Sequence, residues 1–109
     1  MHSLFVYGTL RPQQPNAHVM ERIGGSWKAA YIRGHLQQRG WGGAEFGSPG
    51  IQLSDSGETV QGYVFISEHL PQYWEELDAF EGDEYQRIPV KVYLENGEMI
   101  ESLVYALKD

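Results

Sequence analysis

The sequence contains no cysteine among its 109 residues. This absence excludes a disulfide-stapled fold, a thiolate nucleophile and any zinc or iron–sulfur site built on cysteine ligands. Basic residues are also scarce, because eight Lys and Arg stand against fifteen Asp and Glu, a formal net charge of −7. Since binding to nucleic acid and to anionic membranes depends on clustered Lys and Arg, we expect neither as a partner.

Long hydrophobic runs are missing as well. No stretch approaches the roughly 18–20 apolar residues of a membrane-spanning helix. The amino-terminal Met1-His2-Ser3 is not a basic segment followed by an apolar run, as a secretory signal would be. We therefore expect a single domain over residues 1–109 and a cytoplasmic location.

Two kinds of ligand site find little support in the residue spacing. The histidines are too widely separated to form a helical zinc pair, so we expect no metal; they are His2, His18, His35 and His69. The glycine-rich segment Gly40–Gly50 fails the dinucleotide fingerprint, because Glu45 stands where a glycine is needed. It is either an irregular crossover or the wall or lid of a small pocket.

The pattern of apolar residues predicts an α+β fold of five to seven strands with one or two helices, arranged as a small curled sheet or a barrel. A short helix should begin after Asn16 and end at Gly24, and a longer one should be capped by Ser67 and end at Gly82. Asn96-Gly97 is typical of a β-hairpin with a type I′ turn. The predicted strands cover 4–7, 27–36, 51–53, 59–66, 85–95 and 98–107.

Glu81 is the first candidate functional residue. Most of the carboxylates in the acidic segment 75–84, Asp78 among them, are expected to face water. Glu81 differs because it follows Phe80 at the end of the predicted helix and precedes an aromatic-bearing strand. Burial against aromatic surface would raise its pKa towards the working range of a general base. A glycosidase-like pair with Asp78 is disfavoured, because two positions on one helix cannot flank a sugar ring.

The turn after the first strand is the second candidate. The segment Tyr7-Gly8-Thr9-Leu10 runs from a strand into a glycine turn, where backbone N–H groups lose their ladder partners. Such groups can converge on a carboxylate or a developing oxyanion. An ordinary exit from the strand explains the same four residues equally well.

Taken together, these segments resemble the γ-glutamylcyclotransferase-like proteins. The motifs that carry the resemblance span essentially the whole chain in the family order: Phe5-Val6-Tyr7-Gly8-Thr9-Leu10-Arg11, Leu77-Asp78-Ala79-Phe80-Glu81-Gly82, Tyr85-Gln86-Arg87, Val90-Lys91-Val92 and Leu103-Val104-Tyr105. The G-T-L turn is closer to the small bacterial and γ-glutamylamine branches than to the glutathione-pathway enzymes, which have G-S-N.

The resemblance implies a small, closed or nearly closed, six-stranded β-barrel-like core flanked by one or two short helices. It implies a cofactor-independent enzyme that forms 5-oxoproline from a small γ-glutamyl amide or amine, with Glu81 as general acid and base. Substrate binding would fall to Tyr7, Gly8, Thr9, Leu10 and Tyr105. The alternative is a non-catalytic barrel that binds a small acidic metabolite or a partner protein. Neither the leaving amine nor the oligomeric state follows from the sequence.

Overall fold

The computed structural model describes residues 2–7, 17–37, 50–54, 56–83 and 85–107. Within them the chain forms six strands and two α-helices, with a 3₁₀ turn at Leu70–Gln72. In chain order these are β1 (Ser3–Val6), α1 (Ala17–Ile23), β2 (Ser26–Gln37), β3 (Gly50–Leu53), β4 (Glu58–Ile66), α2 (Trp74–Glu81), β5 (Tyr85–Leu94) and β6 (Met99–Leu107).

Five of the strands close into a barrel. The sheet order is β3-β2-β4-β1-β6-β5, and β2 returns to pair with β5 through Ala30↔Leu94 and Tyr31↔Tyr93. The rings of Tyr31 and Tyr93 stack at a centroid distance of 5.1 Å across this closing pair. β3 is the additional strand and pairs with the end of β2. The predicted α+β fold with a barrel-like core is confirmed.

Two apolar clusters lie on opposite sides of the barrel wall, because successive residues of a strand point to opposite faces. One is the barrel interior, built around Phe5, Ile32, Ile51, Val92 and Val104. The other joins the outer face to the helices and contains Leu4, Met20, Phe65, Leu77 and Tyr105. All four residues of β1 are buried, so this strand serves both clusters.

The second predicted helix is shorter than the apolar spacing suggested. Tyr73 adopts φ −117° and ψ −2°, which separates the 3₁₀ turn from α2. The Ser67 hydroxyl accepts a hydrogen bond from the His69 N–H (3.1 Å) and donates one to the Gly24 carbonyl (2.6 Å). The prediction that Ser67 caps this helix is therefore wrong, since α2 begins at Trp74, seven residues later. Gly82 ends α2 with φ 92°, as predicted.

The predicted hairpin is present, with a different turn. Gly97 has φ 90°. The Leu94 carbonyl accepts a hydrogen bond from the Gly97 N–H (3.1 Å), and the Leu94 N–H donates to the Glu98 carbonyl (2.8 Å). This pattern is a three-residue loop in which glycine takes the left-handed position, and not the two-residue type I′ turn. The Asn96 side chain supports the loop by accepting a hydrogen bond from the Glu98 N–H at 2.9 Å.

In the described part of the chain, no helix has the length and apolar character needed to traverse a bilayer.

The hairpin supplies a stability prediction. Gly97→Val should lower the free energy of unfolding by more than ~1 kcal/mol, because a β-branched residue tolerates positive φ poorly. A side chain at this position would meet no neighbour within 4 Å, so the cost is conformational and not steric. Gly97→Asn is the control and should lose less, since Asn tolerates the left-handed region. Equal urea midpoints for the two variants would contradict this account.

Candidate active site

The structure describes three of the predicted site residues, Tyr7, Glu81 and Tyr105. Gly8, Thr9 and Leu10 lie outside the described residues, as do residues 40–49 of the glycine-rich segment. The geometry of the site is therefore built from the end of β1, the end of α2 and the β5–β6 hairpin.

Tyr7 follows β1 and connects three strands through its hydroxyl. That hydroxyl donates a hydrogen bond to the Tyr105 carbonyl of β6 (2.7 Å) and accepts one from the Ile51 N–H of β3 (3.0 Å). Burial, with a smaller contribution from the charge of Glu81, raises the pKa of the Tyr7 phenol well above its usual range. The phenol therefore stays protonated and keeps its role as a donor.

Glu81 is the last residue of α2 and is half-buried. Burial raises the pKa of its carboxyl group to about 7, because removal from water disfavours the charged form. Its charge acts electrostatically on Tyr7, so the end of α2 and the end of β1 are neighbours. A carboxyl group with a pKa near neutrality can both accept and return a proton.

Tyr105 lies in β6 with its side chain on the helix-facing side of the barrel. Its hydroxyl donates a 2.6 Å hydrogen bond to Asp78 Oδ1, and Arg87 donates to the same oxygen at 3.2 Å. Burial, together with Asp78, raises the pKa of the Tyr105 phenol well above its usual range. The Tyr105 hydroxyl already donates its hydrogen atom to Asp78. Direct contact between Tyr105 and a substrate stays a prediction.

Asp78 and Arg87 were missed as site residues by the sequence interpretation, which placed Asp78 among the solvent-facing carboxylates. Asp78 is half-exposed, yet it accepts the two hydrogen bonds described above. Its spacing of three residues from Glu81 was the available signal, because positions i and i+3 of a helix lie on one face. The partners on β5 and β6 emerge only from the fold.

A pocket of about 300 Å³ opens beside this end of α2. Its described lining consists of Asp78, Gly82, Asp83, Tyr85, Gln86, Arg87 and Tyr105. Asp78 of α2 and the two residues that follow Glu81 therefore border a space of small-molecule size, whereas Glu81 and Tyr7 are not among its lining residues. Within the described ranges, no three His, Asp or Glu side chains are grouped closely enough to hold a metal ion.

The raised pKa of Glu81 leads to a prediction of how the free energy of unfolding depends on pH. The pKa of Glu81 rises from an ordinary 4.5 to about 7 on folding, so the folded protein binds more protons between these values. The free energy of unfolding of the wild type should therefore fall relative to that of Glu81→Gln as pH rises through this window. The expected relative loss is about 1–3 kcal/mol, measured by urea unfolding at several pH values.

Glu75→Gln is the control for this measurement, because Glu75 lies exposed on the same helix. Its stability curve should run parallel to that of the wild type across the window. A Glu81→Gln curve equally parallel to the wild type would show that Glu81 is not held away from water.

The fold and the site together define a small α+β barrel protein with a half-buried carboxylate of raised pKa beside the end of its first strand. A family model described as "Gamma-glutamyl cyclotransferase, AIG2-like" matches residues 4–109. The chain belongs to this family. In the search of curated proteins, no match to this chain is found.

Solved structures share the fold. A protein of Arabidopsis thaliana is 28% identical, with a TM-score of 0.69 over 97% of this chain and 61% of its own. The YkqA protein of Bacillus subtilis is 27% identical, with a TM-score of 0.72 over 98% of this chain and 36% of its own. A mouse AIG2-like protein is 25% identical, with a TM-score of 0.65 over 97% of this chain and 76% of its own. The chain thus spans less than two thirds of the first two structures.

Proposed function

We propose that the protein is a γ-glutamyl cyclotransferase that acts on a small γ-glutamyl amide or amine. It releases the amine and converts the glutamyl part into 5-oxoproline. The observation that carries this proposal is Glu81, a half-buried carboxyl group with a pKa of about 7 at the end of α2, electrostatically coupled to Tyr7.

The reaction needs no nucleophile from the protein. The substrate's own α-amine, once it has given a proton to Glu81, attacks the γ-carbonyl carbon and closes a five-membered ring. The tetrahedral intermediate then collapses, and the bond from that carbon to the leaving nitrogen breaks as Glu81 returns the proton to it. The ring nitrogen gives up its second proton to the released amine, which leaves as an ammonium ion. Atoms and charge balance without a cofactor, so we propose none.

Holding the glutamyl chain folded is the second contribution. An amine held against its own carbonyl reacts as an intramolecular partner, an advantage of up to ~7–11 kcal/mol in well-oriented systems. We propose that backbone N–H groups of Gly8, Thr9 and Leu10 bind the substrate, with Tyr7 as the residue from which they extend. The hydrogen bonds of Tyr7 to β3 and β6 support this assignment, because they fix the start of that segment.

Replacement of Glu81 tests the mechanism. Glu81→Gln keeps the size of the side chain and removes the base, so kcat should fall by roughly two to four orders of magnitude with little change in KM. The wild-type kcat should also fall below pH 7 as the carboxyl group of Glu81 takes up its proton, and Glu81→Gln should lack this acidic limb. Release of 5-oxoproline from a panel of γ-glutamyl peptides and γ-glutamylamines provides the measurement.

The matched control is again Glu75→Gln, which should turn over at the wild-type rate. Near-normal turnover by Glu81→Gln on an accepted substrate would refute the proposed role of Glu81. If the wild type forms 5-oxoproline from no compound of the panel, the alternative of a non-catalytic binding barrel takes precedence.

Replacement of Gly8 tests the proposed binding segment. Gly8→Val should abolish binding of a non-hydrolysable γ-glutamyl ligand while the far-UV circular dichroism stays unchanged, because a branched side chain would block close approach of the backbone. Titration calorimetry is the measurement. Gly24→Ala is the control, since Gly24 has φ 81° after α1 and its replacement should cost stability alone. If a folded Gly8→Val protein bound the ligand normally, this segment would not be the substrate-binding site.

A further inference from the structure

The carboxylate of Asp78 connects α2 to the barrel wall by hydrogen bonds. Its Oδ1 accepts hydrogen bonds from the Tyr105 hydroxyl (2.6 Å) and from Arg87 (3.2 Å). Tyr105 and Arg87 are direct cross-strand partners in the β5–β6 hairpin, so their side chains leave the sheet on the same face. Two donors from the barrel wall therefore converge on one oxygen of the helix.

Arg87 contacts α2 a second time. Its guanidinium carbon lies 4.3 Å from the ring centroid of Trp74, the first residue of the helix. A guanidinium over an aromatic face is attracted by the ring, and its planar shape makes the stack specific to Arg. The helix is thus held at its first residue by stacking and one turn later by hydrogen bonds.

Tyr105 connects the Asp78 hydrogen bonds to the candidate site, because it contacts both Asp78 and Tyr7. Its carbonyl accepts the hydrogen bond from Tyr7, while its hydroxyl donates to Asp78. Glu81 follows Asp78 by three residues, so the two carboxylates are neighbours on one turn of α2. Asp78 and Glu81 belong to the same turn of α2. We therefore expect a displacement of Asp78 away from Tyr105 to displace Glu81 as well.

We propose that Asp78, Tyr105 and Arg87 form a positioning network that holds Glu81 against the end of β1. Tyr105 then acts through Asp78 and not by direct contact with the substrate. Asp78 is a positioning residue, and the catalytic group remains Glu81. This inference rests on the proposed function for its kinetic consequence, although the placement of Glu81 can be tested without any substrate.

The pKa of Glu81 can be used to measure how well its carboxyl group is held away from water. Burial raises the pKa of this carboxyl group, so a loosened helix end would admit water and lower it. Among the residues that the structure describes, the other titratable or charged groups around this end of α2 are Tyr7, Asp78, Asp83, Tyr85, Arg87 and Tyr105. A useful variant must therefore loosen the helix without changing a charge.

Tyr105→Phe meets this requirement, because it removes one hydroxyl and leaves the ring and every charge in place. Arg87→Lys is a second such variant, since it keeps the positive charge and loses the planar stack on Trp74. The midpoint of the Glu81 titration, followed by NMR of its side-chain carboxyl carbon, should fall by roughly half a pH unit or more in each. Glu81→Gln identifies the resonance.

Ser102→Ala is the matched control. Ser102 lies three residues before Tyr105 in β6 and shares a buried hydroxyl–hydroxyl hydrogen bond of 2.7 Å with Ser3 of β1. Its replacement removes a comparable bond from the same strand but does not touch α2. The Glu81 midpoint should stay at the wild-type value in this variant.

The kinetic arm separates positioning from substrate contact. Tyr105→Phe should lower kcat on the order of tenfold with little change in KM, and the acidic limb of its rate profile should move to lower pH. In a background of Asp78→Asn the same replacement should cost little more, because both variants interrupt one chain of contacts. A full additional loss there, with a raised KM, would instead assign Tyr105 to the substrate.

The proposal is overturned if Glu81 titrates at the wild-type midpoint in both folded Tyr105→Phe and folded Arg87→Lys. It is equally overturned if Ser102→Ala shifts the midpoint as far as they do. Failure of the proposed function looks different: the wild type would release no 5-oxoproline while the Glu81 midpoint still responded to Tyr105→Phe.

Discussion

The site depends on one hydroxyl, that of Tyr7, and on the two backbone groups it satisfies. A buried backbone N–H or carbonyl without a partner costs about 1–3 kcal/mol, so strand ends inside a fold need one. Tyr7 supplies the partner for Ile51 of β3 and for Tyr105 of β6 at once. β3 pairs with β2, and the Tyr7 hydroxyl connects it to β6 as well. The end of β1 is thereby immobilised where the candidate site begins.

Glu81 occupies a place that is unfavourable for a carboxylate. It is half-buried, and it ends a helix, where the partial negative charge of the last carbonyls opposes a second negative charge. Structural considerations alone would favour an amide or an apolar residue there. The fold tolerates the carboxyl group because α2 is anchored elsewhere, through Leu77 in the outer apolar cluster and through Asp78 to the hairpin. A group retained against its local environment is the kind that function explains best.

The β5–β6 hairpin and α2 show how much of the fold could be predicted from the sequence. Alternating residues on either side of Asn96-Gly97 predicted the β5–β6 pair and the positive φ of Gly97 correctly. The turn type was wrong because it depends on which residues pair across the strands, and the Asn96 side chain stabilises a longer loop through Glu98. The break at Tyr73 escaped notice since Leu70, Trp74 and Leu77 keep helical spacing across it. The residue pattern left a small curled sheet and a barrel both open, and the family resemblance favoured the barrel, because the closing Ala30–Leu94 pair joins residues distant in the chain.

The candidate site, like the fold, could be predicted from the sequence only in part. Glu81 was identifiable from local context, since a carboxylate between Phe80 and Gly82 at a helix end is set apart from its solvated neighbours. Arg87 and Tyr105 were not identifiable as partners of Asp78. Their convergence requires the register that places them opposite each other in the hairpin, together with the packing of α2 on that face. Local chemistry suggests which residue could transfer a proton, and tertiary structure decides what holds it in place.

The raised pKa of Glu81 is what suits it to the proposed chemistry. An α-amine with a pKa near ~8 passes its proton to an ordinary carboxylate only against about 5 kcal/mol, because each pKa unit of mismatch costs about 1.4 kcal/mol. With the Glu81 pKa at about 7 the mismatch falls to roughly one unit. Burial of this carboxyl group lowers the stability of the folded chain near neutral pH by part of the same free energy. The attachment of α2 through Asp78, Tyr105 and Arg87 links the two effects, because keeping Glu81 away from water is the condition for both.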